Sequence, residues 1–197
     1  MGTGMSVCRR ALLTAACMIP GCMAWGQQIT SERPARFELA LTYDSVLANV
    51  TTGSEFWMQG GSAQLQARLW HGLSAVADIA GLHTANANET GTGLDLISAT
   101  FGPRYTWTAR NHRIAFFGHV LVGEAHGMNS IFPSGAIFAA SGNSLALQIG
   151  GGISLPLTRH FSVRAFDANW LRTQLPNAAT NVQNNLRLGA GIIYGFK

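Results

Sequence analysis

The chain has 197 residues, of which 11% are charged and 47% are hydrophobic, and its formal net charge is +4. About a quarter of the residues of an ordinary soluble domain are charged, so this composition is unusual for one. Lys197 is the only lysine and there is no basic run, which argues against nucleic-acid binding.

The N-terminal segment has the pattern of an export signal. Arg9 and Arg10 precede an apolar stretch, residues 11–24, that is too short to span a bilayer as a helix. The small residue Gly26 suits a signal peptidase. We predict a signal peptide over residues 1–26 and a single mature domain over residues 27–197.

All three cysteines lie in this predicted leader, at Cys8, Cys17 and Cys22. The mature chain would therefore contain no disulfide, no thiolate metal site and no cysteine nucleophile. The sequence "IPGC", which ends at Cys22, resembles a lipoprotein box only weakly because of its proline.

Eight stretches after the leader alternate apolar and polar residues with a period of two, which is typical of β-strands. In chain order, the first begins near Phe37 and the others cover residues 57–70, 73–82, 97–107, 114–126, 145–157, 161–175 and 184–197. No charged residue occurs between Glu124 and Arg159, but Pro133, glycines and polar residues interrupt any spanning helix there.

The connections between these stretches alternate in length. Residues 71–72, 110–113 and 158–160 form short turns, whereas longer polar connections are predicted near residues 51–55, 83–93, 127–144 and 174–184. This asymmetry is typical of bacterial outer-membrane barrels. An even strand number also lets the first and last strands pair, which removes exposed edges. The predicted fold is all-β, an eight-stranded antiparallel up-and-down transmembrane β-barrel.

The final stretch, "NNLRLGAGIIYGFK", raises the question of which face points outward. One face carries leucines, Ile192 and Tyr194, and the other carries Arg187 and glycines. A lipocalin-like soluble barrel would bury the apolar face, whereas a membrane barrel would turn it to lipid. Aromatic residues near strand ends favour the membrane barrel, since they resemble interfacial girdles. The predicted girdle consists of Tyr43, Trp57, Trp70, Trp107, Trp170, Tyr194 and Phe196.

The polar face then lines the lumen, where glycines leave room for long arginines. The predicted lumen charge network contains Glu38, Arg68, Asp78, Arg104, Arg164, Asp167 and Arg187. Such a network indicates either a gated ion path or a structural polar plug, and the narrow bore of eight strands favours the plug. Arg164 and Asp167 are three residues apart, so a β-bulge near residues 165–167 is needed for both to point inward.

The leader, the eight alternating strands and the aromatic final strand "LRLGAGIIYGF" together resemble the small OmpA/OmpX-like outer-membrane barrel proteins of the porin family. The resemblance implies a Gram-negative bacterium and insertion by the barrel-assembly machinery, which recognises the final strand. In this sequence Lys197 follows Phe196, whereas the family usually ends on the aromatic residue.

Evidence for catalysis is sparse. His126, Ser130 and Glu124 are a loose candidate set for serine activation, but their spacing matches no known motif. His71 and His160 lie in short turns and are spread around the rim, as is His112, so a shared metal site is not expected. We predict no catalytic residue, no cofactor and no metal.

The long third connection contains four apolar residues that we predict to be a contact site: Ile131, Phe132, Ile137 and Phe138. An exposed apolar cluster indicates contact with a protein, a ligand or lipid. The same residues would also fit a segment that folds over the barrel mouth.

The predicted function is that of a non-catalytic outer-membrane protein with a structural or surface-interaction role, in which long extracellular loops carry any binding. A narrow porin-like channel and, with less support, a lipid A-modifying enzyme remain as alternatives. The expected partners are outer-membrane lipid, the barrel-assembly machinery and an extracellular ligand or protein at the loops. No nucleic acid is expected, and a monomer is favoured although the sequence does not determine the oligomeric state.

Overall fold

The computed structural model describes residues 35–51, 54–87, 92–110, 113–134, 137–177 and 180–196. The predicted signal peptide, His112 and Lys197 lie outside these residues. No helix among the described residues is long and apolar enough to cross a membrane.

The described residues form eight strands in one closed antiparallel barrel, in which neighbours in sequence are neighbours in space and β8 pairs with β1. The strands are β1 Phe37–Thr51, β2 Ser54–Trp70, β3 Leu73–Ala87, β4 Thr92–Thr108, β5 Ala115–Ser134, β6 Ile137–Pro156, β7 Phe161–Thr173 and β8 Gln183–Phe196. The eight-stranded antiparallel fold predicted from the sequence is therefore confirmed. Below, the turn end is the end at which β2 meets β3, and the loop end is the opposite one.

The apolar face of the strands points outward. Along β3, exposed and buried residues alternate, so that Ile79 is 60% exposed while its neighbours Asp78 and Ala80 are each 1% exposed. The same alternation puts Arg187 inside and Leu186 outside on β8. An inverted, lipocalin-like arrangement is therefore wrong for this chain, since Asp78 and Arg187 are buried while Ile79 and Leu186 are exposed.

The β2–β3 connection is a two-residue turn at His71 and Gly72, which have φ values of 31° and 88°. Positive φ at both positions is the pattern of a type I′ turn, whose twist matches that of the flanking strands. A Cβ atom at Gly72 would lie 2.6 Å from the carbonyl oxygen of Thr106. Glycine is therefore needed at this position for both its conformation and its lack of a side chain.

The bulge predicted in β7 is confirmed. Phe166 is paired with Ile153, and Arg164 with Ser154, so Ala165 is the extra residue on β7. The insertion brings Arg164 and Asp167 to the same side of the sheet, and both are buried. The bulge thus allows two oppositely charged residues, three apart in sequence, to point into the barrel.

Three of the connections predicted to be long are instead mostly strand. β1 continues to Thr51 and β2 begins at Ser54, while β3 ends at Ala87 and β4 begins at Thr92. The largest difference is at residues 127–144, where β5 and β6 remain paired as far as Ser134 and Ile137. Asn129, with a φ of 57°, lies at the register shift of this hairpin, a conformation that asparagine tolerates better than most residues. Of the four predicted long connections, only the one between β7 and β8 remains largely outside the strands.

Candidate functional site

The inward-facing side chains fill the barrel in two regions. The ionic layer occupies the middle and the turn end and contains four arginines and four carboxylates among the described residues: Arg68, Arg104, Arg164 and Arg187 with Glu38, Asp44, Asp78 and Asp167. The apolar cap occupies the loop end and consists of Val46, Ala48, Phe56, Met58, Leu82, Ala87, Leu94, Leu96, Ala125, Phe132, Ala146, Leu171 and Leu175.

Arg187 is the centre of the ionic layer. Its Nη2 atom lies 3.0 Å from Oδ2 of Asp44, and its Nη1 atom lies 2.8 Å from Oδ2 of Asp78. Nη2 also donates to Oγ of Ser62 at 2.5 Å. One guanidinium of β8 thereby joins β1, β2 and β3 across the lumen. Because burying a charge is costly unless it is paired and hydrogen-bonded, these contacts are what allow three ionised groups to remain inside.

A second ion pair depends on the β7 bulge. Nη1 of Arg164 lies 3.2 Å from Oδ2 of Asp167 and donates to Oε1 of Gln64 at 2.8 Å. The other carboxylate oxygen, Oδ1 of Asp167, accepts a hydrogen bond from Nδ2 of Asn169 at 2.8 Å. Arg164 therefore has partners on β7 and β2, whereas both partners of Asp167 lie on β7.

Among the described residues Arg104 has no carboxylate partner and is held by neutral acceptors. Nη1 donates to Oε1 of Gln66 at 3.0 Å, and Nη2 donates to Nδ1 of His119 at 2.9 Å. Since an arginine can only donate, Nδ1 of His119 must be the unprotonated nitrogen. Nε2 of His119 then donates to Oδ1 of Asn169 at 2.7 Å, and these two shorter contacts are both made by one neutral tautomer, whereas the longer contact of 3.3 Å to Nε2 of Gln148 does not use it.

An inward-facing aromatic ring contacts two of the arginines. The guanidinium carbon of Arg104 lies 4.4 Å from the ring centroid of Phe117, and that of Arg164 lies 4.9 Å from it. Each arginine is attracted to the negative face of the ring. Phe117 therefore compensates in part for the repulsion between two nearby positive charges.

The structure brings all seven residues of the predicted charge network to the inner face of the barrel. Glu38 and Arg68 form a pair at the turn end, with Oε1 and Nη2 3.4 Å apart, and both remain about a quarter exposed. The sequence interpretation omitted Asp44 and His119. Asp44 lies six residues after Glu38 on β1 and therefore on the same face of the strand, so the alternation of faces alone could have identified it as inward-facing. His119 lies on β5, where both faces are apolar and the alternation gives little signal.

Phe132, one of the four predicted contact residues, belongs to the apolar cap. It is 6% exposed, and its ring lies near Gly127 and Leu175, where a Cβ added to Gly127 would meet both side chains. Leu175 is fixed by Gln183, whose Oε1 accepts from the backbone NH of Leu175 at 2.9 Å and whose Nε2 donates to its carbonyl at 2.8 Å. Phe132 therefore folds over the barrel mouth rather than forming an exposed contact.

The other predicted contact residues are placed differently. Ile131 is 61% exposed at the end of β5. Ile137 and Phe138 lie on β6, paired with Ser134 and Pro133, and their side chains are outside the described part of the structure. None of the four lies in a free loop.

The aromatic residues predicted to form a girdle all face outward: Tyr43, Trp57, Trp70, Trp107, Trp170, Tyr194 and Phe196. Phe196 stacks on Phe37 of the neighbouring β1, with ring centroids 5.9 Å apart, and also on Tyr194. Tyr43 differs from the others because it lies near the middle of β1, where its hydroxyl donates to Oε1 of Gln59 at 2.8 Å.

Polar groups replace the apolar outer wall at the loop end. His83 and Asp95 are cross-strand partners just beyond Ile97, with Nδ1 and Oδ1 2.5 Å apart, and Asn129 donates to the same carboxylate. The hydrogen bonds from His83 and Asn129 hold the pKa of Asp95 below its ordinary value. Because 28% of the Asp95 side chain remains exposed to solvent, this stabilisation is screened and small.

The loose catalytic set does not form a catalytic arrangement. His126 is hydrogen-bonded to Asn143 through Nδ1, and no contact joins it to Ser130 or Glu124 in the described ranges. Glu124 faces outward on β5. Within those same ranges no three histidine, cysteine or acidic side chains are grouped closely enough to hold a metal ion.

No protein-family model matches the sequence, and no curated protein is significantly similar to it. Solved structures nevertheless share the fold. Neisserial surface protein A has a TM-score of 0.64 at 15% identity, with 84% of this chain and 100% of the other covered. Ail, the attachment invasion locus protein of Yersinia pestis, has a TM-score of 0.54 at 17% identity over 82% and 99%. OprG, an outer membrane protein of Pseudomonas aeruginosa, has a TM-score of 0.50 at 10% identity over 83% and 96%. The chain thus has the eight-stranded barrel fold of small OmpA/OmpX-like outer-membrane proteins.

Proposed function

We propose that this chain is a non-catalytic outer-membrane barrel protein with a structural or surface-interaction role, exported by means of a signal peptide at residues 1–26. The apolar outer wall supports this location, since a soluble protein would not expose Phe101, Trp107 and Ile192 by more than half. The likeness in fold to outer-membrane proteins supports it as well. Outer-membrane lipid around the wall and the barrel-assembly machinery during insertion are the proposed partners.

The main observation in support of a non-conducting role is that side chains fill the lumen. Arg104 and Asp78 in the ionic layer and Met58 and Leu171 in the apolar cap are all at most 2% exposed. An eight-stranded barrel is just wide enough for its side chains to fill the interior. Two successive packed regions, one ionic and one apolar, support the proposal that the lumen does not conduct.

The surface-interaction role would belong to the strand extensions rather than to long loops. About ten residues per strand are enough to cross a bilayer, whereas β5 and β6 have 20 residues each. The parts of the strands that extend beyond the apolar wall carry exposed polar side chains, including His83 of β3 and Asn143 of β6. Residues in such positions are available to a ligand or another protein outside the cell.

Planar-bilayer recording of the protein purified from outer membranes after expression of the full chain tests the role. We expect no stepwise conductance. A band on a gel that shifts only after boiling would show in parallel that the inserted protein is a closed barrel. Steady single-channel steps from the unaltered protein would favour the narrow-channel alternative and contradict the proposal.

A matched double variant, Phe132→Ala with Leu175→Ala, sharpens this experiment. It removes two large side chains from the apolar cap and leaves the ionic layer intact. We expect the double variant to remain silent because the arginine–aspartate pairs still fill the lumen. Conductance that appears only in the double variant would instead indicate a channel that the cap closes.

A further inference from the structure

Two opposite charges on the outer wall have no partner within the barrel. Glu124 of β5 and Arg172 of β7 both face outward, on either side of β6. Neither side chain makes an ion pair or a hydrogen bond with any residue that the structure describes. Both lie at the loop-end border of the apolar wall, where Leu145 and Trp170 are exposed beside them.

The strand register puts these two charges at almost the same height in the membrane. Glu124 is paired with Leu145, and Arg172 is paired with Leu147, two residues further along β6. Strands in such barrels tilt by about 35–45° from the barrel axis, so residues paired directly across strands lie at different heights. Between β5 and β7 this difference in height largely cancels the offset of two residues between Glu124 and Arg172. The charges therefore lie side by side, about two strand spacings or ~10 Å apart.

Below the two charges, toward the turn end, one row of the outer wall consists of small residues. Gly118 of β5 is paired with Gly151 of β6, which is paired with Ala168 of β7, and all three face outward. Small residues in register across three strands form a shallow depression. In membranes, small residues at an interface let two backbones approach closely.

We propose that a second copy of this chain packs against the β5–β7 wall in the membrane, related to the first by a two-fold axis that runs along the membrane normal over β6. Under this symmetry Glu124 of each copy faces Arg172 of the other, so two identical ion pairs form. Such an isologous interface is the commonest kind in homodimers. The resulting dimer departs from the monomer that the sequence favours.

A second copy presents both a guanidinium and a carboxylate at this height and satisfies both charges, whereas the phosphate of an anionic lipid pairs only with Arg172. A lipid phosphate would attract Arg172 but repel Glu124 at the same height. An unpaired charge that faces lipid is destabilising in proportion to its depth, so a partner that neutralises both groups is favoured. The inference rests on the proposed membrane location, which the boiling-dependent gel shift of the same samples reports separately.

Cysteine cross-linking in the native membrane tests the position of the axis. The full chain is expressed with Cys8, Cys17 and Cys22 changed to serine, so that an introduced cysteine is the only thiol. Leu145→Cys lies close to the axis, and Leu41→Cys on β1 is a matched control on another part of the wall, where Leu41 is 49% exposed. With a short thiol-specific cross-linker we expect a covalent dimer from Leu145→Cys at least fivefold more abundant than from the control. Equal yields, or no dimer from either, would overturn the proposal, and the latter would leave lipid as the occupant of this wall.

Charge reversal tests the ion pairs. In the Leu145→Cys background, Glu124→Arg places arginine opposite arginine, and we expect about a tenfold loss of the cross-linked dimer. Combining it with Arg172→Glu restores opposite charges and should recover most of the dimer. A dimer that is insensitive to the single reversal, or a double reversal that fails to recover it while the gel shift shows an intact barrel, would contradict the paired arrangement.

Discussion

The ionic layer and the apolar cap fill the same barrel by different physical means. In the ionic layer, stability depends on specific partners, since Arg187 needs Asp44 and Asp78 at 3.0 and 2.8 Å to remain buried. In the apolar cap, stability depends on the area buried and on close packing, which many combinations of side chains can supply. Inward-facing and outward-facing residues alternate without interruption from one region to the other. This alternation therefore decides which side chains enter the lumen but does not decide their chemistry.

This difference has a consequence for how each region tolerates change. Removing one member of a buried ion pair leaves an unpaired charge and costs more than removing the whole pair. Shortening one apolar side chain leaves a cavity whose cost depends on how far the neighbours relax. Substitutions in the ionic layer should consequently interact strongly with one another, whereas distant substitutions in the cap should add.

The largest effect is expected from Arg187→Met, which leaves Asp44 and Asp78 buried without their cation. We expect a loss of about 3–5 kcal/mol in the free energy of unfolding. Urea unfolding of the barrel in detergent micelles, followed by tryptophan fluorescence, measures it. Arg68→Met is the matched control, since its pair with Glu38 is partly exposed, and it should cost about 1 kcal/mol or less.

The non-additivity can be tested on the same residues. Arg187→Met combined with Asp44→Asn and Asp78→Asn removes all three charges together, and most of the lost stability should return. If the triple variant is less stable than Arg187→Met alone, unpaired charge is not the origin of the loss, and the distinction between the two regions fails.

A smaller effect is expected in the apolar cap. Leu171 is fully buried, and Leu171→Ala should cost about 2–5 kcal/mol through lost burial and a residual cavity. Leu171→Met keeps the volume and should cost less than about 1.5 kcal/mol. The same urea unfolding measures both variants. Equal losses from alanine and methionine would show that the cap depends on side-chain shape as strictly as the ionic layer depends on its partners.

Phe117 is an apolar side chain within the ionic layer, where its ring contacts two guanidinium groups. Phe117→Leu keeps an apolar side chain and removes both cation–π contacts, for an expected loss of about 1–3 kcal/mol. Phe116→Leu alters the adjacent, outward-facing ring and serves as the control. Similar unfolding curves for the two variants would mean that Phe117 fills space without stabilising the arginines.

Most of the ionic layer was predictable from the sequence, because a charged residue in a strand has only two faces to choose from. The β7 bulge was predictable for the same reason: Arg164 and Asp167 share a face only if one residue is inserted between them. His119 was not predictable in this way. On β5 both faces are apolar: Phe117 and Leu121 point inward, and Val120 and Val122 point outward. An alternation of polar and apolar residues therefore does not show which face of β5 is the inner one.

The apolar cap and the strand extensions were not predictable from the alternation of polar and apolar residues. The expectation of a polar lumen assigned no interior role to Phe56 or Met58, and placed Phe132 over the barrel mouth only as an alternative to an exposed contact. Glycine, asparagine, serine and proline between residues 127 and 144 have the composition of a loop. In the barrel, however, β5 and β6 pair with each other over this segment. Cross-strand pairing overrides the local preference for turns.

The smallest effect is expected from the exposed pair at the loop end, which has the same chemistry as the ionic layer without its burial. Hydrogen bonds from His83 and Asn129 lower the pKa of Asp95 from its ordinary value of 3.8. The folded protein thus favours the ionised carboxyl, and the resulting stability is fully present above pH 3.8 and is lost as the pH falls through the lower, folded-state pKa. We expect Asp95→Asn to be slightly less stable than the unaltered barrel near neutral pH, and the difference to vanish in strong acid. Urea midpoints measured against pH for both proteins provide the comparison. A difference that is as large as that of Arg187→Met would mean that burial is not what makes the ionic layer so sensitive to the loss of a partner.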